Sequence, residues 1–209
     1  SNAGLIDLSS AGDGLGRLTV NGSYTGNGGR LQLNSVLKGD GAASDRLVVN
    51  QGTISGTTTL LVNNLGGTGA LTTANGIQVV EAGSDVTGSA SAFQLGAPLS
   101  VGAYQYYLFK GGVTADSAES WYLRSSVVAA SEPGIAEPVA ALGTPPLPDP
   151  EPGASIPLYR PEAAVYAVAN RAAALIGRST LGTFHERQGE QRLLDLSLIH
   201  ISEPTRQEA

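Results

Sequence analysis

Between Arg46 and Glu81 the chain reads RLVVNQGTISGTTTLLVNNLGGTGALTTANGIQVVE, a succession of short alternating stretches that no single neighbouring element could cover. Leu47 with Val49, Leu60 with Val62 and Ile77 with Val79 each share one face of an extended chain, since side chains point to opposite sides at successive residues, and Thr and Asn fill much of the other face. Half-buried strands are therefore predicted. Gly52, Gly56, the run Asn63 to Gly67 and Asn75-Gly76 separate them, residues that accept positive φ and turn the backbone at low cost.

The preceding residues repeat the theme. Leu5 to Leu8, Leu18 to Val20 and Leu31 to Leu33 read as strands, with Ser10 to Gly16 and Gly26 to Gly29 as the turns between them. Ser1-Asn2-Ala3 reads either as the remnant of a cleaved tag or, with Gly4 to Leu8, as a turn and strand, and in either case residue 1 is not expected to be a natural start. Apolar strand positions recur at Leu18, Leu31, Leu47, Leu60 and Ile77, a loose period that suits either an antiparallel sandwich or a solenoid completed by stacking. Turns rich in Gly, Asn, Thr and Ser with few charges favour the solenoid.

From Ala90 to Ser125 the composition shifts, and Phe93, Tyr104, Tyr106, Tyr107, Phe109, Trp121 and Tyr122 crowd into a short span. Tyr104 to Phe109 reads as a strand ended by Lys110-Gly111-Gly112, with Trp121 to Arg124 as its partner. Large rings at the end of a stack predict a cap, because a terminal layer otherwise exposes its apolar face. Phe93, Tyr104, Tyr106, Phe109, Trp121 and Tyr122 are the candidate cap residues.

Eight prolines between Pro133 and Pro157 predict an extended spacer without a core over 126–158. Pro161-Glu162 then opens a helix, with proline at its first position and an acid in its first turn. Pro161, Val165, Val168, Ala172 and Leu175 mark that helix and its apolar spacing, and Gly177 is expected to weaken or end the first segment.

Catalytic and ligand chemistry is poorly provisioned. Net charge is −6 and the lysines are Lys38 and Lys110, which argues against a nucleic-acid partner. Cysteine is absent, and His185 and His200 are the histidines, so the strand region lacks the base of a Ser-His-Asp site and the donors of a zinc site. Gly12-Asp13-Gly14, Gly39-Asp40-Gly41 and Asp45 read as turns, without the tandem repeats of a calcium-binding roll. A polysaccharide lyase or hydrolase would need clustered acids with a basic partner, whereas Arg30, Lys38, Asp40, Asp45 and Arg46 are sparse. The expected protein is not an enzyme and has no cofactor or metal. Carbohydrate binding or cleavage by a secreted β-helical protein is the alternative, and exposed rings on the strands would favour binding; Tyr24 is the one ring before Phe93.

An ordered series of segments resembles the C-terminal passenger region of pertactin-like, AIDA-type autotransporters. The series comprises LTVNGSYTGNGGRLQLN (18–34), DRLVV (45–49), GTTTLLVNNLGGTGALTTANGIQVVE (56–81), AFQL (92–95), GAYQYYL (102–108), WYLRS (121–125), YRPEAAVYAVAN (159–170) and LGTFHERQGE (181–190). The resemblance implies an all-β, right-handed parallel β-helix with an aromatic-rich autochaperone cap over 1–125. A proline-rich linker over 126–158 follows, then a helix and the segment preceding the translocation barrel over 159–194. It implies a non-catalytic stem and folding nucleus, carried through the periplasm to the cell surface of a Gram-negative bacterium. The implied partners are the chain's own C-terminal β-barrel, the outer membrane through that barrel, and a host surface or matrix ligand bound by an upstream adhesin. Residues 195–209 depart from the family pattern and read as translated adaptor sequence on a truncated gene.

Overall fold

Leu18 lies opposite Leu47, and Leu31 opposite Leu60, in two separate parallel ladders of a computed structural model that describes residues 1–10, 15–130 and 133–199. The loose period of the sequence is thus an alternation between two sheets, and partners lie 29 residues apart where Arg17 to Val20 pair with Arg46 to Val49 and where Gly29 to Ser35 pair with Thr58 to Asn64. Along the chain the elements are β1 (Leu5–Asp7), β2 (Arg17–Val20), β3 (Tyr24–Ser35), β4 (Arg46–Val49), β5 (Gly52–Asn64), β6 (Ile77–Ala82) and β7 (Val86–Gly88). They continue with β8 (Phe93–Leu95), β9 (Leu99–Val101), β10 (Tyr104–Lys110), β11 (Trp121–Arg124), β12 (Ser126–Val128), β13 (Val139–Ala140), β14 (Ser155–Pro157) and helix α1 (Pro161–Ile199).

One sheet is parallel throughout, in the order β1-β3-β5-β7 with β8 also on β5. The other runs β13-β10-β11-β6-β4-β2, parallel from β2 to β6 and antiparallel from β6 onward, with β9 on β10. Strand alternation sends Leu31, Leu33, Leu47, Val49, Leu60, Ile77 and Val79 into one shared core, and each is buried. Each such side chain contributes about 1.5–3 kcal/mol on leaving water.

The structure corrects two turn assignments. Gly26 to Gly29 and Gly56 lie inside β3 and β5, which bend there and stay paired, with a register shift between Asn27 and Gly29. Gly56 has φ +79°, and a Cβ at that position would collide with the carbonyl oxygen of Gly26 on the adjacent strand. Glycine is required there by close approach of two backbones.

The chain separates into a β unit, Ser1–Arg160, and a helical unit beginning at Pro161. The spacer expected over 126–158 is corrected by this partition. β12 pairs with β14, β13 pairs with β10, and Ala141 joins the core cluster. Proline removes an N–H donor but not an acceptor, so proline-rich chain can still pair along an edge through its remaining groups. The helix likewise continues through Gly177 to Ile199, past the break expected there and past the boundary at 194. One glycine costs about 1 kcal/mol relative to alanine, and the surrounding Ala, Leu, Ile and Arg favour the helix. Among its described side chains, Pro161, Val165, Val168, Ala172 and Leu175 are all exposed. Side chains from Leu181, including His185 in the barrel-proximal segment, lie outside the described residues, as do Gly12-Asp13-Gly14 and the chain from His200 onward.

Candidate functional site

Trp121, Leu123 and Tyr106 point into the core from the antiparallel pair β10–β11, whose register matches Phe109 with Tyr122 and Leu108 with Leu123. Trp121 is fully buried and meets Phe93 edge to face, centroids 5.0 Å apart; Phe93 stacks on Tyr24 at 5.6 Å. These three rings carry the core from β3 through β8 to β11. Lys110 Nζ lies 5.9 Å from the Trp121 ring centroid and 2.9 Å from Glu119 Oε2, which also accepts the Gly88 N–H at 2.6 Å.

Tyr106 joins successive layers by its hydroxyl. The oxygen accepts the Ala70 N–H at 2.9 Å and lies 2.8 Å from the Ala70 carbonyl and 2.9 Å from that of Lys38, to one of which it donates its proton. Burial raises the Tyr106 pKa above its usual 10, against the lowering effect of these bonds. Beside it, Ser125 Oγ donates to the Ala70 carbonyl at 2.8 Å and accepts the Thr72 N–H at 2.9 Å, while Ser125 N–H donates to Thr72 Oγ1 at 2.9 Å. The Asp40 carboxylate gathers the N–H groups of Thr73, Ala74 and Gly76 at 2.7, 3.0 and 2.8 Å. Asp45, fully buried, does the same for Gly16 and Asn34, each at 2.6 Å.

Phe109 and Tyr122 occupy the opposite face of the hairpin with Arg124, and all three are buried. Burial raises the Tyr122 pKa, and it lowers that of Arg124 to about 10 against the opposing carboxylates of Asp40 and Glu137. Tyr104 stacks on Tyr159 at 5.5 Å, where the chain leaves the β unit. Of the candidate cap residues, Phe93, Tyr106 and Trp121 therefore converge on the core, Phe109 and Tyr122 on the outer face, and Tyr104 on the exit.

Sequence reasoning left Arg124, Ser125 and Thr72 without a role, although Arg124 and Ser125 stand in the WYLRS segment; only tertiary pairing brings Thr72 beside them. Tyr24 is buried and stacked, so it offers no exposed ring to a sugar. Among the described residues no group of three or more His, Cys, Asp or Glu is placed to hold a metal ion.

The opposite end of the stack differs. Ile6, Leu8, Leu18 and Val20 face the core but are only partly buried, whereas their neighbours one layer on, Leu31, Leu33, Leu47 and Val49, are inaccessible. The described core is closed at the antiparallel end by the rings of Tyr24, Phe93 and Trp121.

Residues 1–108 match the model of the family described as Autochaperone Domain Type 1. The chain is 37% identical over 196 residues to the adhesin BmaC autotransporter of Brucella suis biovar 1 (strain 1330), covering 91% of this chain and 5% of that protein. It is 38% identical over 178 residues to the uncharacterized protein YdeU of Escherichia coli (strain K12), covering 85% and 35%, and 38% identical over 110 residues to the autotransporter adhesin AIDA-I of Escherichia coli, covering 52% and 8%. The chain thus spans about a third or less of the length of these relatives. The family match ends at Leu108, before β11, so Trp121 and Tyr122 come from outside it. Layered strands, aromatic closure and these likenesses together place the chain in the type 1 autochaperone family, as an autochaperone region of an autotransporter passenger, a class of outer-membrane and cell-surface proteins of Gram-negative bacteria.

Proposed function

We propose that this chain is the membrane-proximal stem and folding nucleus of a passenger that is itself an adhesin, and that it acts without catalysis. In this reading the parallel ladders are coils of a right-handed β-helix. The hairpin β10–β11 and the aromatic residues Phe93, Tyr104, Tyr106, Phe109, Trp121 and Tyr122 form its cap, and the edge at β1 and β2 is the template on which the preceding coil settles. Pro161, Val165, Val168, Ala172 and Leu175 belong to the helix that leads to the protein's own C-terminal β-barrel in the outer membrane. A host surface or matrix ligand is bound by the upstream passenger.

The observation that carries this reading is the aromatic closure at the antiparallel end, where Tyr24, Phe93 and Trp121 touch in series and the Tyr106 hydroxyl bonds to groups at Lys38 and Ala70. Parallel pairing is non-local and slow to nucleate, so a preformed layer removes the slowest step for the chain that follows. Export without ATP outside the cell then draws on folding itself.

Surface display of the full-length passenger tests it. Trp121→Ala and Tyr106→Ala should each reduce folded, protease-resistant passenger at the surface severalfold, while Leu65→Ala, at a 53% exposed side chain, should not. Equal display of all three variants would overturn the folding-nucleus assignment.

A further inference from the structure

Three Asn-Gly pairs occur in the chain, Asn21-Gly22, Asn27-Gly28 and Asn75-Gly76. Glycine after asparagine leaves the backbone nitrogen unshielded by a Cβ, so that nitrogen can reach the carboxamide carbon of the residue before it. Whether the two react depends on what holds the nitrogen, the carbonyl oxygen and the amide that must leave. The three pairs are held differently.

At Asn75 every participant is engaged. The Gly76 N–H donates to the Asp40 carboxylate at 2.8 Å, and a negative charge there opposes loss of the amide proton. Asn75 Nδ2 donates to Thr114 Oγ1, and Asn75 Oδ1 accepts the Val113 N–H, each at 2.7 Å. Gly76 is buried against the Leu123 carbonyl, which leaves its backbone no room to swing. Asn27-Gly28 lies at the register shift of β3, where the chain is pinned to β5 on both sides, Asn27 to Thr57 and Gly29 to Thr58.

Asn21-Gly22 forms the corner between β2 and β3. Asn21 is exposed, and the Gly22 N–H has no hydrogen-bond partner among the described residues. Gly22 has φ +148°, with open space where a Cβ would stand. Asn21 Oδ1 accepts the Asn50 Nδ2–H at 2.8 Å, and Asn50 is itself tied to this corner by its N–H, which donates to the Val20 carbonyl at 3.0 Å. A donor on the carbonyl oxygen polarises Cγ and stabilises the negative charge that gathers on Oδ1 when a nucleophile adds.

We propose that Asn21 is a self-modifying site, assisted by the hydrogen bond from Asn50. The Gly22 nitrogen gives its proton to hydroxide and bonds to Asn21 Cγ, while Asn50 Nδ2 holds the oxyanion forming at Oδ1. The bond from Cγ to the carboxamide nitrogen then breaks, and ammonia leaves with a proton taken from water. The succinimide that remains is opened by water at one carbonyl to aspartate, or at the other to isoaspartate, in which the main chain runs through Cβ. Aspartate adds a negative charge to the corner. Isoaspartate adds one carbon to the main chain beside Ser23, whose Oγ accepts the Thr53 N–H at 3.1 Å. The modification is independent of the folding role proposed above.

Mass spectrometry of the full chain, aged at mildly alkaline pH and digested in acid, tests the proposal, with fragmentation separating aspartate from isoaspartate. In the folded chain Asn21 should convert severalfold faster than Asn27 and Asn75, and in urea the three should convert at similar rates. Asn50→Ala and Asn50→Asp both remove the donor at an exposed side chain, which leaves the core untouched. Each should slow Asn21 about fivefold, the worth of one ordinary hydrogen bond, without changing Asn75. A contact that only stiffened the corner would give the opposite result, since its loss would speed the reaction. A rate at Asn21 no greater than at Asn27 or Asn75 in the folded chain, or an unchanged or faster rate in either Asn50 variant, would overturn the proposal.

Discussion

Phe93 and Trp121 meet edge to face at 5.0 Å and an interplanar angle of 75°, and that contact joins a strand at the edge of the parallel sheet to the antiparallel hairpin of the other. This pair packs the two sheets against each other at that end of the core. Removing the indole by Trp121→Ala deletes the largest buried side chain and leaves a void between the sheets. A loss of about 3–5 kcal/mol is expected, with Phe93→Ala comparable and the double variant less than additive because the rings touch. Chemical denaturation of the single and double variants measures this; full additivity would contradict a shared contact.

Gly56 and Gly66 both have positive φ, at +79° and +70°, but only Gly56 has a neighbouring backbone where a Cβ would stand. Gly66→Ala should cost about 1 kcal/mol, the strain of the left-handed conformation alone. Gly56→Ala should cost substantially more, because β3 and β5 must also move apart. The two midpoints in urea provide the comparison.

The hydroxyl of Tyr106 binds Ala70 and one of two carbonyls from different layers, so Tyr106→Phe strands buried backbone groups while leaving the ring in place. A loss of about 1–3 kcal/mol is expected at neutral pH from thermal unfolding.

Alkaline pH should act through the same ring and through Tyr122. Both pKa values are raised by burial, so the folded state holds these protons more tightly than the unfolded chain. Their contribution is fully present below pH 10 and is lost as pH rises beyond it. Arg124 works in the opposite sense, since burial lowers its pKa to about 10 and stability is regained above that pH, where the folded guanidinium deprotonates before the unfolded one. A variant carrying Tyr106→Phe and Tyr122→Phe should therefore lose less stability than the parent between pH 10 and 11 in equilibrium denaturation.

Neutral substitution of Arg124 gives a further expectation. Burial lowers the Arg124 pKa to about 10, so its surroundings disfavour the charged form. Arg124→Met preserves much of the stem volume and removes the charge, so the melting temperature should be unchanged or raised. A pronounced decrease would show that the guanidinium stabilises the hairpin.

The strand pattern was legible in the sequence because alternation and core burial coincide, as at Leu47 and Val49 or Ile77 and Val79. The pairing of Tyr104 to Phe109 with Trp121 to Arg124 was legible for the same reason. Bends were not, since Gly26 to Gly29 and Gly56 carry turn chemistry whether the chain reverses or merely turns a corner within a paired strand. Nor was the seat of 126–160, which depends on acceptor groups and edge pairing that proline content conceals. Tyr24 shows the limit most plainly: its neighbours suggest a solvated strand, and only Phe93, far along the chain, makes it a core ring.

Pulsed hydrogen exchange during refolding tests the central claim most directly, with the closing hairpin compared against the open edge. Protection of the Leu108, Phe109 and Leu123 amides before those of Ile6, Leu18 and Val20 is the result predicted for a nucleus at the aromatic end. Protection arising first at Ile6 and Leu18, or at both ends together, would contradict it.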